Sequence, residues 1–334
     1  MERFIIILLF LLSLNSVTAQ DIHWSQFDYN PIFQNPANTG HFTGGEYRLH
    51  ANYRDQWRSV TVPFQTLSIS GDARGLLHNN LGLGMYVFND VTGDGKFRTI
   101  EFQPSASWVF RLDQDSTHTI RPGASAGINY RNFNSDAFYF GSQWDGEQFD
   151  PSISSNEVFQ TESRTNVTIA AGVNYEWYQN PRKKVIVGVG YFNINQPNQG
   201  FFGENILRER RLNVFARSQF KVSDDWDILP SMQYNNQGTY HELLVGSQAR
   251  YIMQDRLGEY RAIFFGAYIR GGDAGVLMGG MEWNNWWAGI SYDINYSDLY
   301  VASRYRGGIE FSLRYIFGAY KPQKTIFRVC PDYI

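Results

Sequence analysis

Cysteine is almost absent from this chain: one residue, Cys330, stands in the last stretch, so no internal disulfide can brace the fold. Proline is scarce at 11 residues, and neither sign of charge dominates, the net charge being -3. A nucleic-acid binder would show a basic surplus or basic clusters, and this chain shows none. Its six histidines (His23, His41, His50, His78, His118, His241) are scattered and never closely paired, so a zinc-type site has no ligand set to draw on. After the first twenty residues no apolar run approaches the roughly 18 to 20 residues that a membrane-spanning helix needs.

The one apolar run, Phe4 to Leu12, lies inside MERFIIILLFLLSLNSVTA, with a short charged start before it and small residues at Val17 and Ala19. That arrangement reads as a secretory signal peptide over residues 1–19, leaving Gln20 first after cleavage. No cysteine follows the site to carry a lipid anchor.

What the chain has in abundance is aromatic residues (9 Trp, 21 Tyr, 25 Phe) and glycine (31), at a mean hydropathy of -0.38. Many aromatics in a chain that is polar on average suit strands with one apolar face. YRLHANYR sets Tyr47, Leu49, Ala51 and Tyr53 against Arg48, His50, Asn52 and Arg54. IRPGASAGINYR, NVTIAAGVNYEW, RLNVFARSQFK, HELLVGSQARY and GIEFSLRYIF repeat the period of two. About fourteen such segments occur, most of roughly 9 to 13 residues, longer than the usual 5 to 6 of soluble sheets and matched to tilted strands that cross a bilayer.

A soluble sandwich alternates in the same way, with its apolar face inward. Export, strand length, strand number and aromatics at strand ends (Tyr175 and Trp177, Tyr315 and Phe317) favour instead an all-β, antiparallel outer-membrane β-barrel of about 14 strands. Gly93-Asp94-Gly95 and Gly271-Gly272-Asp273 read as hairpin turns. Between residues 134 and 164 the alternation stops, giving a long acidic loop expected at a barrel mouth or folded into the lumen. The expected organisation is a lead-in over 20–45, a barrel over 46–318 and a tail over 319–334. Lead-in and tail should lie together on the periplasmic side.

Candidate chemistry is thin. NDVTGDGKF, from Asn89, lacks the spacing and closing Glu of a calcium loop and reads as a hairpin turn. No Gly-x-Ser-x-Gly elbow accompanies His50 or His241, so a surface hydrolase has little to stand on. Asn166-Val167-Thr168 matches a glycosylation sequon but falls within a strand. Neither metal, cofactor nor catalytic residue is assigned. Charged residues on the polar face (Arg48, Arg54, Arg121, Arg131, Glu176, Arg211, Arg217, Arg250, Glu310, Arg314) require a salt-bridged, water-filled or plugged lumen, since an Arg on the lipid face costs roughly 2 to 4 kcal/mol at the midplane.

HWSQFDYNPIFQNPANTG, followed by YRLHANYRDQWRSV, resembles the N-terminal signature of the PorP/SprF family of type IX secretion system membrane proteins. The matching residues are Ser25, Gln26, Phe27, Asn30, Pro31, Asn35, Pro36 and Ala37, then Asn52, Tyr53, Arg54, Gln56 and Trp57; Trp24 joins those from Ser25 to Pro36 in a candidate partner or plug segment. VGVGYFNINQPNQGFF, LPSMQY and SRYRGGIEFSLRYIF are also similar to the family, with Phe192 where many relatives carry His. Phe317, an aromatic closing the last strand, resembles the signal for barrel insertion.

The resemblance implies a non-enzymatic outer-membrane protein of Bacteroidetes-type bacteria that supports export or surface anchoring of particular cargo, such as gliding adhesins. It implies contacts with outer-membrane lipid and with the type IX translocon, periplasmic ring components or the cargo's C-terminal domain. A passive porin for small solutes is the alternative. Two Asn-Pro pairs disfavour helix in the lead-in, because proline biases its predecessor to extended backbone. The lead-in is then a strap sealing the periplasmic mouth, a docking element for a partner, or both.

Overall fold

The computed structural model describes residues 21–58, 62–157, 161–256, 258–297 and 300–318. The expected signal peptide and the tail with Cys330 lie outside the described residues. Fourteen antiparallel strands form one closed sheet. They are β1 (Tyr47–Gln56), β2 (Phe64–Arg74), β3 (Leu81–Thr92), β4 (Phe97–Trp108), β5 (His118–Asn132), β6 (Ser163–Asn180) and β7 (Lys183–Phe192). The second half is β8 (Arg211–Lys221), β9 (Trp226–Gln237), β10 (Tyr240–Arg256), β11 (Glu259–Arg270), β12 (Ala274–Trp283), β13 (Trp286–Asn295) and β14 (Arg306–Phe317). β4 breaks at Val109 and resumes at Phe110–Arg111, still paired with β5. Each strand pairs with its chain neighbours, and β1 closes the ring on β14 in the register Tyr47↔Phe317 to Gln56↔Gly308.

Closure leaves no sheet edge, and the alternation then sorts side chains into two environments. Outward positions are apolar and exposed, among them Ile69, Val167, Phe265, Ile269 and Leu277. Inward positions are polar and buried, among them Asn52, Arg54, Ser68, Arg270 and Glu310. This inversion explains how the chain combines a negative mean hydropathy with strands that are apolar along one face. Aromatics ring one end: Tyr47 stacks on Phe317 at 5.2 Å, Trp286 on Tyr315 at 4.2 Å, and Trp226 lies 4.8 Å from Tyr251.

The two ends of the barrel differ. Short connections such as 181–182, 222–225 and 284–285 lie at the end that holds Tyr47 and Phe317, and the long ones, 133–162 and 193–210, lie at the other. The expected turns are present: Gly93 (φ +68°) precedes a Lys96 N–H donated to the Gly93 carbonyl at 3.1 Å, and Gly272 (φ +73°) sits in the turn where Asp273 N–H reaches the Arg270 carbonyl. The long loop sits at the mouth. Asn134 donates to the Gly95 carbonyl at 2.8 Å, Phe133 meets Phe201 edge to face, and most of its described residues are exposed. Backbone N–H groups of Gln148 and Glu147 hold the exposed Asp145 carboxyl below the usual carboxylate range.

Two outcomes follow. The purified protein should migrate faster on denaturing gels unheated than after boiling, because a closed barrel resists detergent unfolding at ambient temperature. Ile69→Arg, on the outward face midway along β2, should lose about 2 to 4 kcal/mol in a urea titration in lipid vesicles. A loss below about 1 kcal/mol would mean that this face does not meet lipid.

Candidate functional site, a segment threaded through the lumen

Inside the ring lie residues 21–40. The prolines do not keep this segment extended, as the sequence reading expected. Each opens a helical turn: a single-turn α1 (Pro31–Gln34) and a 3-10 turn over Pro36–Asn38, preceded by another over Phe27–Tyr29. Proline is tolerated at the first helical position because that N–H has no intrahelical partner. The asparagines before them stay outside the helical region, Asn30 at φ -130° and ψ 64°, Asn35 at φ -160° and ψ 128°. The Asn35 side chain then caps the next turn, its Oδ1 accepting from Ala37 N–H at 2.9 Å. Proline acts on its predecessor, so a chain of single turns satisfies the same restriction that forbids a long helix.

A buried ionic cluster fixes the upper part of the segment. Arg54 on β1 donates to Glu310 on β14 at 2.8 Å and to Asp293 on β13 at 2.7 Å. Arg270 on β11 meets the same Asp293 at 3.0 Å and Glu242 on β10 at 3.2 Å. The segment supplies the remaining partners: backbone N–H groups of Ser25 and Gln26 donate to the two oxygens of Glu310 at 2.8 and 2.9 Å, and Ser25 Oγ donates to Asp293 at 2.7 Å. Arg54, Arg270 and Glu310 are at most 1% exposed. Charges this deep are tolerable only when paired and hydrogen-bonded.

Below the cluster, aromatic packing and amide pairs alternate. Tyr29 stacks on Trp287 at 3.5 Å, and Phe27 meets Tyr268 edge to face at 6.0 Å. Phe33 packs against Tyr86 and Phe88, with buried Trp24 and Ile32 in the same cluster. Asn30 donates to Ser68 at 3.1 Å, Gln34 to Gln233 at 3.0 Å and Asn35 to Asn174 at 2.9 Å, while Asn174 donates back to Asn38 at 2.9 Å. Three wall glycines make room: a Cβ on Gly172 would lie 2.0 Å from Asn35 Oδ1, on Gly123 2.5 Å from Ala37 N, and on Gly82 2.4 Å from the Thr39 carbonyl. Gly123 thus has a reason to stand on the polar face of its strand.

The segment runs the length of the lumen. Asp21 binds Arg208 at 2.8 Å and Asn193 at the long-loop end, whereas Gly40 binds Asp72 and His41 binds Glu176 near the other end. The lead-in is therefore not confined to one mouth. Glu46 does meet Phe317, its N–H donating to that carbonyl at 3.0 Å, but Asp21 lies at the opposite end. A vestibule of about 610 Å³ opens at the short-turn end and one of about 290 Å³ at the other, and a cavity of about 10 Å³ lies beside Phe33 and Gln34.

The lead-in residues singled out in the sequence, Trp24, Ser25, Gln26, Phe27, Asn30, Pro31, Asn35 and Pro36, are brought together here, all buried. Of the first-strand motif, Asn52 and Arg54 face inward and Tyr53 outward, Gln56 ends β1, and Trp57 (φ +65°) stacks on Phe64 beyond it. Phe317 packs in the aromatic ring at the strand end. Asp293, Glu242 and Arg270 were not found by sequence reasoning, since they sit on separate strands and only closure brings them to Arg54. His50 is buried in the lumen and His241 is exposed on the outer face, so the two do not share a site.

A closed fourteen-stranded ring with an apolar exterior and a polar, filled interior defines an outer-membrane-type β-barrel protein. Residues 16–315 match the family model described as type IX secretion system membrane protein PorP/SprF, and the chain belongs to that family. Among solved structures, it is similar to the Ralstonia pickettii toluene transporter TbuX (10% identity, 86% of this chain and 92% of that chain, TM-score 0.50). It is also similar to the CymD monoaromatic hydrocarbon channel (11% identity, 88% and 94%, TM-score 0.50) and the Pseudomonas putida toluene transporter TodX (9%, 85% and 92%, TM-score 0.50). At such identities the likeness shows the fold alone. No curated protein matches the chain.

Arg54→Ala should cost about 3 to 5 kcal/mol in urea unfolding, because it strands the buried Glu310 carboxylate and leaves Asp293 with Arg270 alone. Ser25→Ala, which leaves both Arg54 ion pairs in place, should cost about 1 to 3 kcal/mol. Equal losses for the two variants would mean that the ion pairs are not what holds the cluster.

Proposed function

We propose that this protein is a non-enzymatic outer-membrane component of the type IX secretion system. It supports export or surface anchoring of specific cargo, such as gliding adhesins, through contacts with the translocon, the cargo's C-terminal domain or periplasmic ring proteins. The observation that carries the reading is the filled lumen, together with family membership over residues 16–315. A barrel whose interior is occupied by its own buried segment, hydrogen-bonded to charged wall residues, offers a scaffold rather than a path for solute. This weighs against the passive porin, whose lumen must be wet and continuous.

In this proposal the short-turn end faces the periplasm, as short turns do in outer-membrane barrels, so both strand termini lie on that side. Residues 21–24 then reach toward the outer surface through the lumen. The residues Trp24 to Pro36 act first as the lumen filling; a partner-docking role for them would require the segment to leave it.

Deleting the gene and profiling secreted and surface proteins should remove a specific subset, adhesins among them, and leave the rest. Unchanged adhesin export would contradict the secretion reading. In planar bilayers the pure protein should show no large steady conductance, and removal of residues 21–40 should produce one. A large conductance from the intact chain would favour the porin.

A further inference from the structure

The vestibule at the short-turn end has two unlike walls. On one side Arg121 on β5, Lys184 on β7 and Arg217 on β8 line the cavity, with Glu176 on the intervening β6, and among the described residues none of the three cations forms an ion pair within 4.0 Å. Of the acids facing them, Glu176 is held by His41 at 2.9 Å and Asp28 faces Arg217, which also donates to Asn38 Oδ1 at 3.0 Å. On the other side Ile252, Tyr260, Phe264 and Trp287 form an apolar wall. Other lining cations are neutralised in place, Arg48 by Asp72, Arg250 and Arg182 by Asp227, and Arg314 by Glu282, while Arg74 donates to the Phe42 carbonyl. Asp255 is the remaining acid on the lining.

His50, on β1, also lines this cavity. The residue is 4% exposed and its ring lies within hydrogen-bonding reach of the Tyr29 backbone, so it calls for no outside partner. At about 610 Å³ the space is of ligand size.

We propose that this vestibule binds an acidic peptide segment with apolar side chains, its carboxylates on Arg121, Lys184 and Arg217 and its apolar groups on the Tyr260–Phe264 wall. A bare anion would use one wall only. Arginine and lysine recognise carboxylates through charge-assisted hydrogen bonds, and an apolar wall adds affinity only for a ligand that carries both characters. The proposal goes beyond the secretion reading and does not depend on it, since a scaffold and a porin could both carry such a site.

The test uses the full chain in mild detergent and a fluorescein-labelled peptide of alternating Glu and Leu. Saturable binding is expected, weakened at least about tenfold by the double variant Arg121→Gln, Lys184→Gln, whose fold is checked by its heat-modifiable migration. Lys184→Gln alone should give a smaller loss, and Arg121→Lys should retain most of the affinity. Because substitutions inside a barrel risk misfolding, a second measurement uses the unmodified chain: the peptide should slow acetylation of Lys184, mapped by mass spectrometry. Three results would overturn the proposal: equal binding of a Lys and Leu peptide, affinity unchanged in the folded double variant, or Lys184 labelling unaffected by peptide. Full displacement by inorganic phosphate would overturn the peptide assignment and leave a bare-anion site.

Discussion

Everything inside this barrel depends on how the charge of Arg54 is balanced. A guanidinium in a closed ring, away from bulk water, must find carboxylates, and it finds Asp293 and Glu310 on the two strands that precede closure. Those carboxylates have oxygens to spare, and the spare positions are taken by backbone N–H groups of Ser25 and Gln26 and by the Ser25 hydroxyl. The wall and the segment therefore complete each other. Without residues 25 and 26 the acids would keep their arginine donors alone, and without the acids the segment's own N–H groups would be orphaned in the lumen.

The same logic continues down the lumen with neutral groups. Asparagine and glutamine carry donors and acceptors together, so pairs such as Asn35 with Asn174 and Gln34 with Gln233 satisfy both partners without importing charge. Aromatic rings fill the spaces between them, and glycines at 82, 123 and 172 let the segment come close to the wall. The interior is polar in composition yet packed like a core, which is why this chain can be hydrophilic on average and still fold around a filled centre.

Much of the wall was legible in the sequence, because a period of two needs no tertiary information: YRLHANYR and GIEFSLRYIF display their inward and outward faces directly. The hairpin turns were legible for the same local reason. The course of the lead-in was not. Asn-Pro-Ile-Phe-Gln-Asn-Pro announces restricted backbone, but whether it lies across a mouth or along the axis depends on partners such as Glu310, Gln233 and Asn174, which lie 139 to 285 residues away along the chain. The ionic cluster was half visible, through Arg54 and Glu310 on polar faces, while Asp293 and Arg270 gained meaning only when closure placed them opposite.

Family membership places this protein among the type IX secretion system membrane proteins, and the segment threaded through its lumen supports the proposed scaffold over an open hole. The central claim is that residues 25–40 are an integral part of the barrel interior. Hydrogen–deuterium exchange of the purified protein in detergent tests it most directly. The amides of Ser25, Gln26, Gln34, Asn35 and Ala37 to Gly40 should exchange as slowly as those of the surrounding strands; exchange at the rate of the exposed loop 141–157 would contradict the account.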